Sequence, residues 1–375
     1  MKLSIVIVSF NVRYFLEQCV LSLKAATLPI NSEIIVVDNN STDDSCKMIK
    51  DDFPDIILIE NKINEGFSKA NNQGVAVAKG LYVCFLNPDT IIAADTFIRL
   101  LNQAKELPNV GLLGPRLISG TGNFLEESKR NIPSPLTSFR RFFRLNLGNV
   151  KSYYAYHIPD TGIGDVDVLV GAFILVKKEL FDSVGGFDED YFIYGEDIDL
   201  SYKIKKKGLQ NYYIGNIVAV HYRGESTDRN AIFVRRFYTG MRLFYKKHFK
   251  SNIVLDIIIS AGIRFISMIQ SFKNFSKEKR KINAYYLITE NETLYRQITK
   301  IGLPDVKMIT TIRKEDLGDK NIEIIFDNDF MTFDEIIEQM QFLKKKNVSF
   351  KIRPKKCNYI IGSNFSDGKG EVLMF

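Results

Sequence analysis

The sequence has little cysteine and histidine and no tryptophan. Its 375 residues include only four cysteines and three histidines. The cysteines are scattered and form no Cys-x-x-Cys pair, which argues against a disulfide framework and for a reducing compartment. Cys19 and Cys84 have apolar neighbours, and we expect both to be buried.

Three kinds of segment are also missing. No run of about 20 apolar residues is present, so the sequence predicts no membrane-spanning helix. The apolar run 3–8 is too short for a signal peptide and suits a buried strand. No glycine-rich GxGxxG loop or phosphate loop follows that run, which disfavours an ordinary dinucleotide site or an ATP-hydrolysing site.

The overall composition is that of a soluble globular protein, with 45% hydrophobic and 25% charged residues. The length allows two domains, or one large domain with an appendage. The net charge of +7 favours an anionic partner, which includes nucleic acid, a membrane surface and a phosphorylated substrate. Charge alone does not choose among these three.

The first 90 residues alternate between apolar runs and segments with helical spacing. This alternation predicts right-handed crossovers and a parallel sheet with strands at 3–8, 33–38, 55–60 and 81–86. A polar loop follows each strand, at 9–11, 38–43, 61–66 and 87–89. Ligands of open α/β sheets bind outside the carboxyl ends of the strands, so we expect these loops to converge on one site.

A strongly acidic segment lies further along the chain. Residues 179–199 contain eight carboxylates and no lysine or arginine. Glu196 and Asp197 follow a glycine and open a predicted helix that Gly208 stops. A helix N-terminus favours negative charge, so we expect both carboxylates to be ionised and one to serve as a general base. The alternative is that Asp197 only caps the helix, and this segment alone favours capping.

A basic segment precedes it. Residues 128–144 hold two prolines and five basic residues: Lys129, Arg130, Arg140, Arg141 and Arg144. We interpret the segment either as a mobile or acceptor-side element, or as solvated surface. The sequence favours neither.

A series of short motifs occurs at the predicted loops. They are IVIVSFN at 5–11, VDNNSTD at 37–43, NEGF at 64–67, NNQG at 71–74, LNPDT at 86–90, GA at 171–172, GGFD at 185–188, GEDID at 195–199, and His221. In this order they resemble the family-2 glycosyltransferases, most of all the bacterial rhamnosyltransferase type. The resemblance covers about the first 225 residues and implies an α/β fold of the GT-A type, with a mostly parallel, Rossmann-like sheet.

The resemblance also implies a donor site. Asp38 would hydrogen-bond the nucleobase of a nucleotide sugar, Phe10 would lie against the base, and the 64–67 loop would line the ribose. The full set of implied donor-site residues is Ser9, Phe10, Asp38, Asn40, Asn64, Gly66, Phe67, Asn71, Asn87 and Gly171.

Metal and catalytic roles follow from the same resemblance. Asp89 and His221 would hold Mg²⁺ or Mn²⁺, although Asn87 replaces the first aspartate of the usual DxD motif. Asp197 would be the catalytic base, with Glu196 beside it near the acceptor. Direct displacement of the diphosphate needs no second catalytic carboxylate, which predicts inversion at the anomeric carbon.

The implied enzyme moves a sugar from a nucleotide diphosphate sugar, dTDP-rhamnose or a UDP-hexose, to a hydroxyl group. The acceptor would be a saccharide or a polyprenyl-diphosphate-linked saccharide in bacterial surface polysaccharide synthesis, and nucleic acid is not an expected partner. Two alternatives are a sugar-nucleotide nucleotidyltransferase and a non-catalytic sugar-nucleotide-binding assembly protein. The nucleotidyltransferase would need a glycine-rich basic loop after the first strand, and 9–11 is not one.

The chain is divided into a catalytic domain (1–228), two helices (229–275) and a small α/β domain (282–375). The first helix is basic and aromatic, and the second, around 253–269, is apolar. Such a pair predicts a peripheral dock on the cytoplasmic face of the membrane, or else helices packed on a core or a dimer partner. For the small domain we expect a role in scaffolding or homo-oligomerisation.

Overall fold

The protein is built on two β-sheets, one after the other along the chain. The computed structural model describes residues 1–133, 152–224, 231–249, 281–364 and 370–375. Within these residues the first sheet has nine strands and the second has six.

The first sheet contains a parallel block that the sequence predicts correctly. Strands β1 to β9 are Leu3–Ser9, Ser32–Asp38, Ile57–Glu60, Tyr82–Leu86, Thr90–Ile92, Val110–Ile118, Ile163–Val166, Phe173–Lys177 and Gln210–His221. Their order is β3-β2-β1-β4-β8-β6-β9-β5, with β7 also paired to β9. Strands β3, β2, β1 and β4 run parallel, and β8 pairs antiparallel to β4. The mostly parallel α/β fold is therefore confirmed.

Helices cover both faces of this sheet. Helices α1 to α7 are Arg13–Thr27, Ser45–Asp52, Phe67–Val77, Thr96–Glu106, Lys178–Ser183, Glu196–Lys206 and Ala231–His248. Ile5 and Ile7 of β1 pack in one core cluster, whereas Val6 packs in another on the opposite face. Because both faces are buried, the strand has no polar alternation, which explains its continuous apolar run.

Two local features show how sequence details place these elements. A Cβ atom on Gly74 of α3 would lie 2.4 Å from a Val6 methyl group, so the glycine lets α3 approach the sheet closely. Strand β6 is not among the strands that the sequence predicts. The pairing of β6 with β9 shifts register between Pro115 and Arg116, and such irregularities are where strands accept proline.

Helix α7 packs against the acidic segment. A Cβ atom on Gly240 would lie 2.1 Å from the carbonyl oxygen of Tyr194, so only glycine permits this approach. Phe244 is fully buried in a cluster with Tyr191 and Ile198. This part of the predicted membrane dock therefore lies against the catalytic region, while the apolar stretch 253–269 is outside the described residues. Within the described residues, no helix has the length and apolar character to cross a bilayer.

The second sheet forms a smaller α/β unit close to the predicted bounds. Its strands β10 to β15 are Ala284–Ile288, Val306–Ile309, Ile322–Asp327, Val348–Arg353, Tyr359–Ser363 and Glu371–Met374, and its helices α8 and α9 are Glu292–Lys300 and Phe333–Leu343. The strand order is β11-β10-β12-β13-β14-β15, of which the first four are parallel. Its last strand, β15, was not predicted.

The two units share one hydrophobic core. Phe15, Ile91 and Tyr222 of the first unit belong to the same buried cluster as Ile336 and Met340 of the second. Polar contacts border this core: the Tyr359 hydroxyl donates to Glu17 at 3.0 Å, and the Ala94 amide donates to Asp334 at 2.9 Å. A shared core of this kind predicts that the two units unfold together.

We expect Gly122→Ala to weaken this interface. Gly122 has φ +75°, and a Cβ atom there would lie 2.3 Å from the Met340 carbonyl oxygen of α9. Gly208→Ala is a matched control, since Gly208 has φ +81° with nothing within 4 Å of the added atom. Both variants strain the backbone, but only Gly122→Ala must also separate the units, at a further cost of about 1–3 kcal/mol.

Thermal unfolding measures the difference. The entropy of unfolding is about 2.1 cal/mol/K per residue, so each kcal/mol lowers the melting temperature of this 375-residue chain by about 1 °C, and Gly122→Ala should melt about 1–4 °C below Gly208→Ala. Equal melting temperatures for the two variants would contradict this account of the interface.

Candidate active site

The carboxyl ends of the central parallel strands meet at one edge of the first sheet. Ser9 at the end of β1 is level with Asp38 at the end of β2, and Ile7 of β1 is level with Leu86 of β4. The polar loops that follow these strands therefore lie side by side, as the strand pattern predicts.

Hydrogen bonds join these loops. The Asn39 backbone donates to the Ser9 carbonyl at 2.8 Å, and its side chain donates to the Gly66 carbonyl at 3.0 Å. Asn64 accepts from the Gly66 amide at 3.0 Å, and Asn71 donates to the Phe67 carbonyl at 2.9 Å. Asn64 and Asn71 thus shape the 64–67 loop.

Two buried groups at this edge have no hydrogen-bond partner among the described residues. They are the Ser9 hydroxyl and Oδ1 of Asp38. Asp38 is 2% exposed, and its other oxygen accepts from the Ser41 amide at 2.8 Å. Phe10 is half-buried and Asn40 is exposed on the loops beside them. An unpaired buried acceptor is costly, so Oδ1 is suited to a ligand N–H group.

Asn87, Asp89 and His221 come together at the end of β4. His221 Nε2 lies 3.4 Å from an Asp89 oxygen and 3.2 Å from the Asn87 side-chain amide. The other Asp89 oxygen accepts from the Arg223 amide at 3.1 Å. The structure therefore places the two predicted metal ligands next to each other, although they are 132 residues apart in sequence, from Asp89 to His221.

These residues suit a divalent cation that is shared with a substrate. No group of three or more metal-binding acidic, histidine or cysteine side chains occurs in the part of the chain that the structure describes. A carboxylate and an imidazole leave most of a coordination sphere open. Mg²⁺ and similar cations commonly fill it with water and substrate phosphates, so the donor set fits such an ion.

The carboxylate pair opens helix α6. Gly195, with φ +99°, makes the turn that precedes Glu196. Asp197 Oδ2 accepts from the Gly171 amide at 3.1 Å and from the Arg130 guanidinium at 2.5 Å, while Oδ1 accepts from the Ile198 amide at 2.8 Å. Asp197 therefore does more than cap a helix, because it ties α6 to two other segments.

The pair is connected to the loops around Phe67 and Asn87 through Gly171 and through the residues just before α6. Gly171, which bonds Asp197, would place a Cβ atom 3.7 Å from the Phe67 ring, and the next residue, Ala172, accepts from the Asn87 amide at 2.9 Å. The Phe67 amide in turn donates to the Phe192 carbonyl, at 2.7 Å, just before α6. The predicted donor-side and catalytic residues thus border one region.

Glu196 differs from the expectation that both carboxylates are ionised. Burial and the neighbouring Asp197 charge raise the pKa of Glu196 to about 8. Its Oε2 has no hydrogen-bond partner among the described residues. The helix N-terminus favours the anion, but the free energy of desolvation is larger for a buried carboxyl. Burial and the Asp197 charge thus both favour the protonated form of Glu196 at neutral pH.

The sequence identifies Lys129 and Arg130 as part of a basic segment but predicts no individual role for either. They are only 2% and 6% exposed, so solvated surface is the wrong interpretation for both, and positions 134–144 are outside the described residues. Nothing in the local sequence marks them as buried. The sequence contains only an indirect indication. The acidic segment 179–199 contains no lysine or arginine, so carboxylates that are buried and ionised there must be neutralised by a cation from elsewhere in the chain.

A mostly parallel sheet, with polar loops at its carboxyl edge and a carboxylate pair beside a histidine–aspartate pair, defines a nucleotide-sugar transferase of the GT-A type. Comparison with known proteins agrees. Residues 4–184 match the model of Glycosyl transferase family 2. The chain therefore contains a family-2 glycosyltransferase domain and is a glycosyltransferase.

Curated relatives narrow the resemblance. The chain is 28% identical over 246 residues to the N-acetylglucosaminyl-diphospho-decaprenol L-rhamnosyltransferase of Mycobacterium tuberculosis, covering 61% of this chain and 78% of that protein. It is also 28% identical over 245 residues to the rhamnosyltransferase WbbL of Escherichia coli K12, covering 59% and 90%. The chain is thus rhamnosyltransferase-like.

Similar folds occur among solved structures. One is the mannosyltransferase PcManGT of Pyrobaculum calidifontis in complex with GDP-Man and Mn²⁺, at 17% identity and a TM-score of 0.47 over 71% of this chain and 70% of that one. Another is residues 1–349 of S. aureus TarS, at 17% identity and a TM-score of 0.46 over 74% and 76%.

The raised pKa of Glu196 predicts a pH-dependent stability. The folded state binds a proton that the unfolded state releases near its ordinary pKa of 4.5, so this contribution is complete below pH 4.5 and is lost as pH rises through about 8. Glu196→Gln keeps the shape and removes the titration. We expect its melting temperature to rise relative to wild type between pH 5 and 9, and parallel pH profiles for the two proteins would contradict the assignment.

Proposed function

We propose that this glycosyltransferase moves a sugar from a nucleoside diphosphate sugar to an acceptor hydroxyl with inversion. The observation that carries the proposal is the contact between the buried Asp197 carboxylate and Gly171, in the segment that also bonds the Asn87 loop. This contact puts a proton acceptor beside the loops that would hold the donor.

Asp197 is the proposed base. A carboxylate offers about four lone-pair positions, and three in Asp197 are already occupied by Arg130, Gly171 and Ile198. The position left open is on Oδ1, which would take the proton of the attacking hydroxyl. Glu196, protonated at pH 7, would donate a hydrogen bond on the acceptor side. A diphosphate leaves without protonation, so direct displacement needs no further acid.

Asp89 and His221 are the proposed ligands of a divalent cation. When bound, the cation would stabilise the negative charge of the departing diphosphate. Mg²⁺ prefers oxygen ligands, whereas an imidazole suits transition metals better, so His221 favours Mn²⁺ over Mg²⁺. Oδ1 of Asp38 would accept a hydrogen bond from the nucleobase, with Phe10 and Asn40 on the surrounding loops.

The relatives support a rhamnosyl donor. We propose dTDP-rhamnose as the first candidate and a UDP-hexose as the second, with a saccharide or polyprenyl-diphosphate-linked acceptor of surface polysaccharide synthesis. A peripheral place at the cytoplasmic membrane face stays part of this proposal. For the C-terminal unit the shared core supports scaffolding over oligomerisation.

Asp197→Asn should abolish transfer while leaving the donor bound. Removal of a general base lowers turnover by about 10²–10⁴-fold, and the amide keeps the shape of the side chain. Radiolabelled or coupled transfer assays measure kcat, and calorimetry measures donor affinity. Asp190→Asn, in an exposed carboxylate of the same segment, is the control and should keep wild-type turnover. Wild-type kcat in Asp197→Asn would refute the base assignment.

Asp89→Ala should remove the metal dependence of donor binding. We expect dTDP-rhamnose or a UDP-hexose to raise the melting temperature of the wild type more with Mn²⁺ than without it, because the cation bridges protein and diphosphate. The variant should lose that increment. Asp95→Ala, at an exposed carboxylate near the same strand, should retain it. If no nucleotide sugar stabilises the wild type under either condition, the proposed donor class is wrong.

A further inference from the structure

We propose that Arg130 is a positioning residue for the proposed base, holding the Asp197 carboxylate in place and keeping the negative charge of the Glu196–Asp197 pair on Asp197. The inference rests on the proposed transfer reaction and adds to it a residue that the motifs do not include. The effect that we propose for Arg130 acts through its contact with the Asp197 carboxylate.

The backbone of Arg130 is fixed from both sides. Its amide donates to the Val168 carbonyl at 3.0 Å, and the Val168 amide donates back at 2.9 Å. The neighbouring Asn131 amide donates to the Tyr153 carbonyl at 2.9 Å, and a bridge joins Arg130 to Tyr154. Such anchoring leaves the side chain few positions, which is what a positioning group requires.

The guanidinium is held in the same way. It donates to the Tyr153 hydroxyl at 3.2 Å, to the Leu169 carbonyl at 3.1 Å and to Asp197 Oδ2 at 2.5 Å. Leu169 lies two residues before Gly171, whose amide bonds the same Asp197 oxygen. Arg130 and Gly171 both donate hydrogen bonds to Oδ2 of Asp197. The lone-pair position that is still open is therefore on Oδ1.

Charge gives Arg130 a second effect. Two adjacent buried carboxylates repel each other, so one of them binds a proton, and the surroundings decide which. Arg130 contacts Asp197, whereas Glu196 Oε2 has no partner among the described residues. The cation therefore leaves the charge on Asp197 and the proton on Glu196. Burial alone would lower the pKa of Arg130, but the Asp197 charge raises it overall, so the guanidinium stays charged.

Stability alone explains this ion pair poorly. The Arg130 and Asp197 side chains are 7% and 10% exposed, and removing such charges from water costs about as much as their attraction returns. A buried ion pair beside the proposed acceptor site is better explained by the orientation and charge that it gives to Asp197.

The test compares Arg130→Gln with Lys129→Gln. Lys129 is the neighbouring cation, equally buried, and it binds Asp160 and the Ile158 carbonyl, away from the carboxylate pair. We expect Arg130→Gln to lower kcat about 100-fold, the effect of a misplaced catalytic group, with donor affinity unchanged. Lys129→Gln should keep kcat within about twofold of wild type, and Arg130→Lys should recover part of the loss because it keeps the charge.

A double mutant shows whether Arg130 acts through Asp197. If it does, Arg130→Gln should cause little further loss of the residual activity of Asp197→Asn. Losses that multiply in the double mutant would overturn the proposal, as would wild-type kcat in Arg130→Gln, or an equal loss of kcat in Lys129→Gln.

A measurement without activity separates this inference from the proposed reaction. Without Arg130, the Glu196–Asp197 pair of the folded protein should hold more bound protons between pH 6 and 9 than it does in wild type. The free energy of unfolding should therefore fall more steeply with increasing pH over this range than in wild type or Lys129→Gln. Equal slopes overturn the charge assignment. If Arg130→Gln does not fold, Arg130→Met, which also removes the charge, takes its place in both measurements. If wild type shows no transfer, the proposed function fails, and the pH slopes still decide the role of Arg130.

Discussion

Charge burial at the start of α6 is the constraint on which the rest of the site depends. Desolvated carboxylates are costly unless they are paired or protonated, and this segment carries no cation of its own. The fold meets the cost in two ways: Arg130 pairs with Asp197, and Glu196 takes a proton. The helix therefore starts from two chemically different carboxyl groups, although they are neighbours of the same charge type in the sequence.

The remaining acidic residues explain why α7 lies where it does. Lys247 contacts both Asp188 and Asp190, and His248 lies 2.5 Å from the fully buried Asp199. These contacts attach α7 to α6 and to the residues that precede α6. The basic residues of α7 suggest, in sequence, binding to a membrane surface. In the structure, two of them, Lys247 and His248, contact carboxylates of the protein instead.

The C-terminal unit supports the proposed metal site. Along β9, His221 faces Asp89 while the preceding residue, Val220, is buried in the shared core. Successive residues of a strand point to opposite faces, so the core that holds Val220 also orients His221.

In the second sheet the order in which the strands follow one another along the chain reverses between β10 and β12, a place where open α/β sheets often bind ligands. Here the carboxylate at the strand end is engaged by protein side chains. Asp327 at the end of β12 accepts from Thr289 at 2.7 Å and from Arg353 at 3.2 Å. The carboxylate has both oxygens engaged, so this edge stabilises the unit and supports the scaffolding role.

Sequence reasoning found the elements that repeat a simple pattern. Apolar runs gave β1 to β4, and motifs gave the loops at their ends, because buried parallel strands and their polar termini are local properties. It assigned no role to Arg130, because the burial of this cation depends on Asp197, which is 67 positions later in the chain. It also mistook Glu196 for an ionised group, because the helix N-terminus is visible in sequence and desolvation is not. The register shift at Pro115 in β6 likewise depends on pairing with β9, which is distant in sequence.

The residues of the candidate active site come from two parts of the chain. The family match ends at residue 184, so it contains the loops around Asp38 and Asp89 but neither the Glu196–Asp197 pair nor His221. The loops proposed to hold the donor thus lie within the residues that the family model matches, and the carboxylate pair lies in the segment that follows them. Arg130 comes from the first part and acts on the second. The segment around Arg130 therefore connects the domain that contains the Asp38 and Asp89 loops to the Glu196–Asp197 pair. Through this connection, the position of Arg130 in the domain influences the charge of the pair.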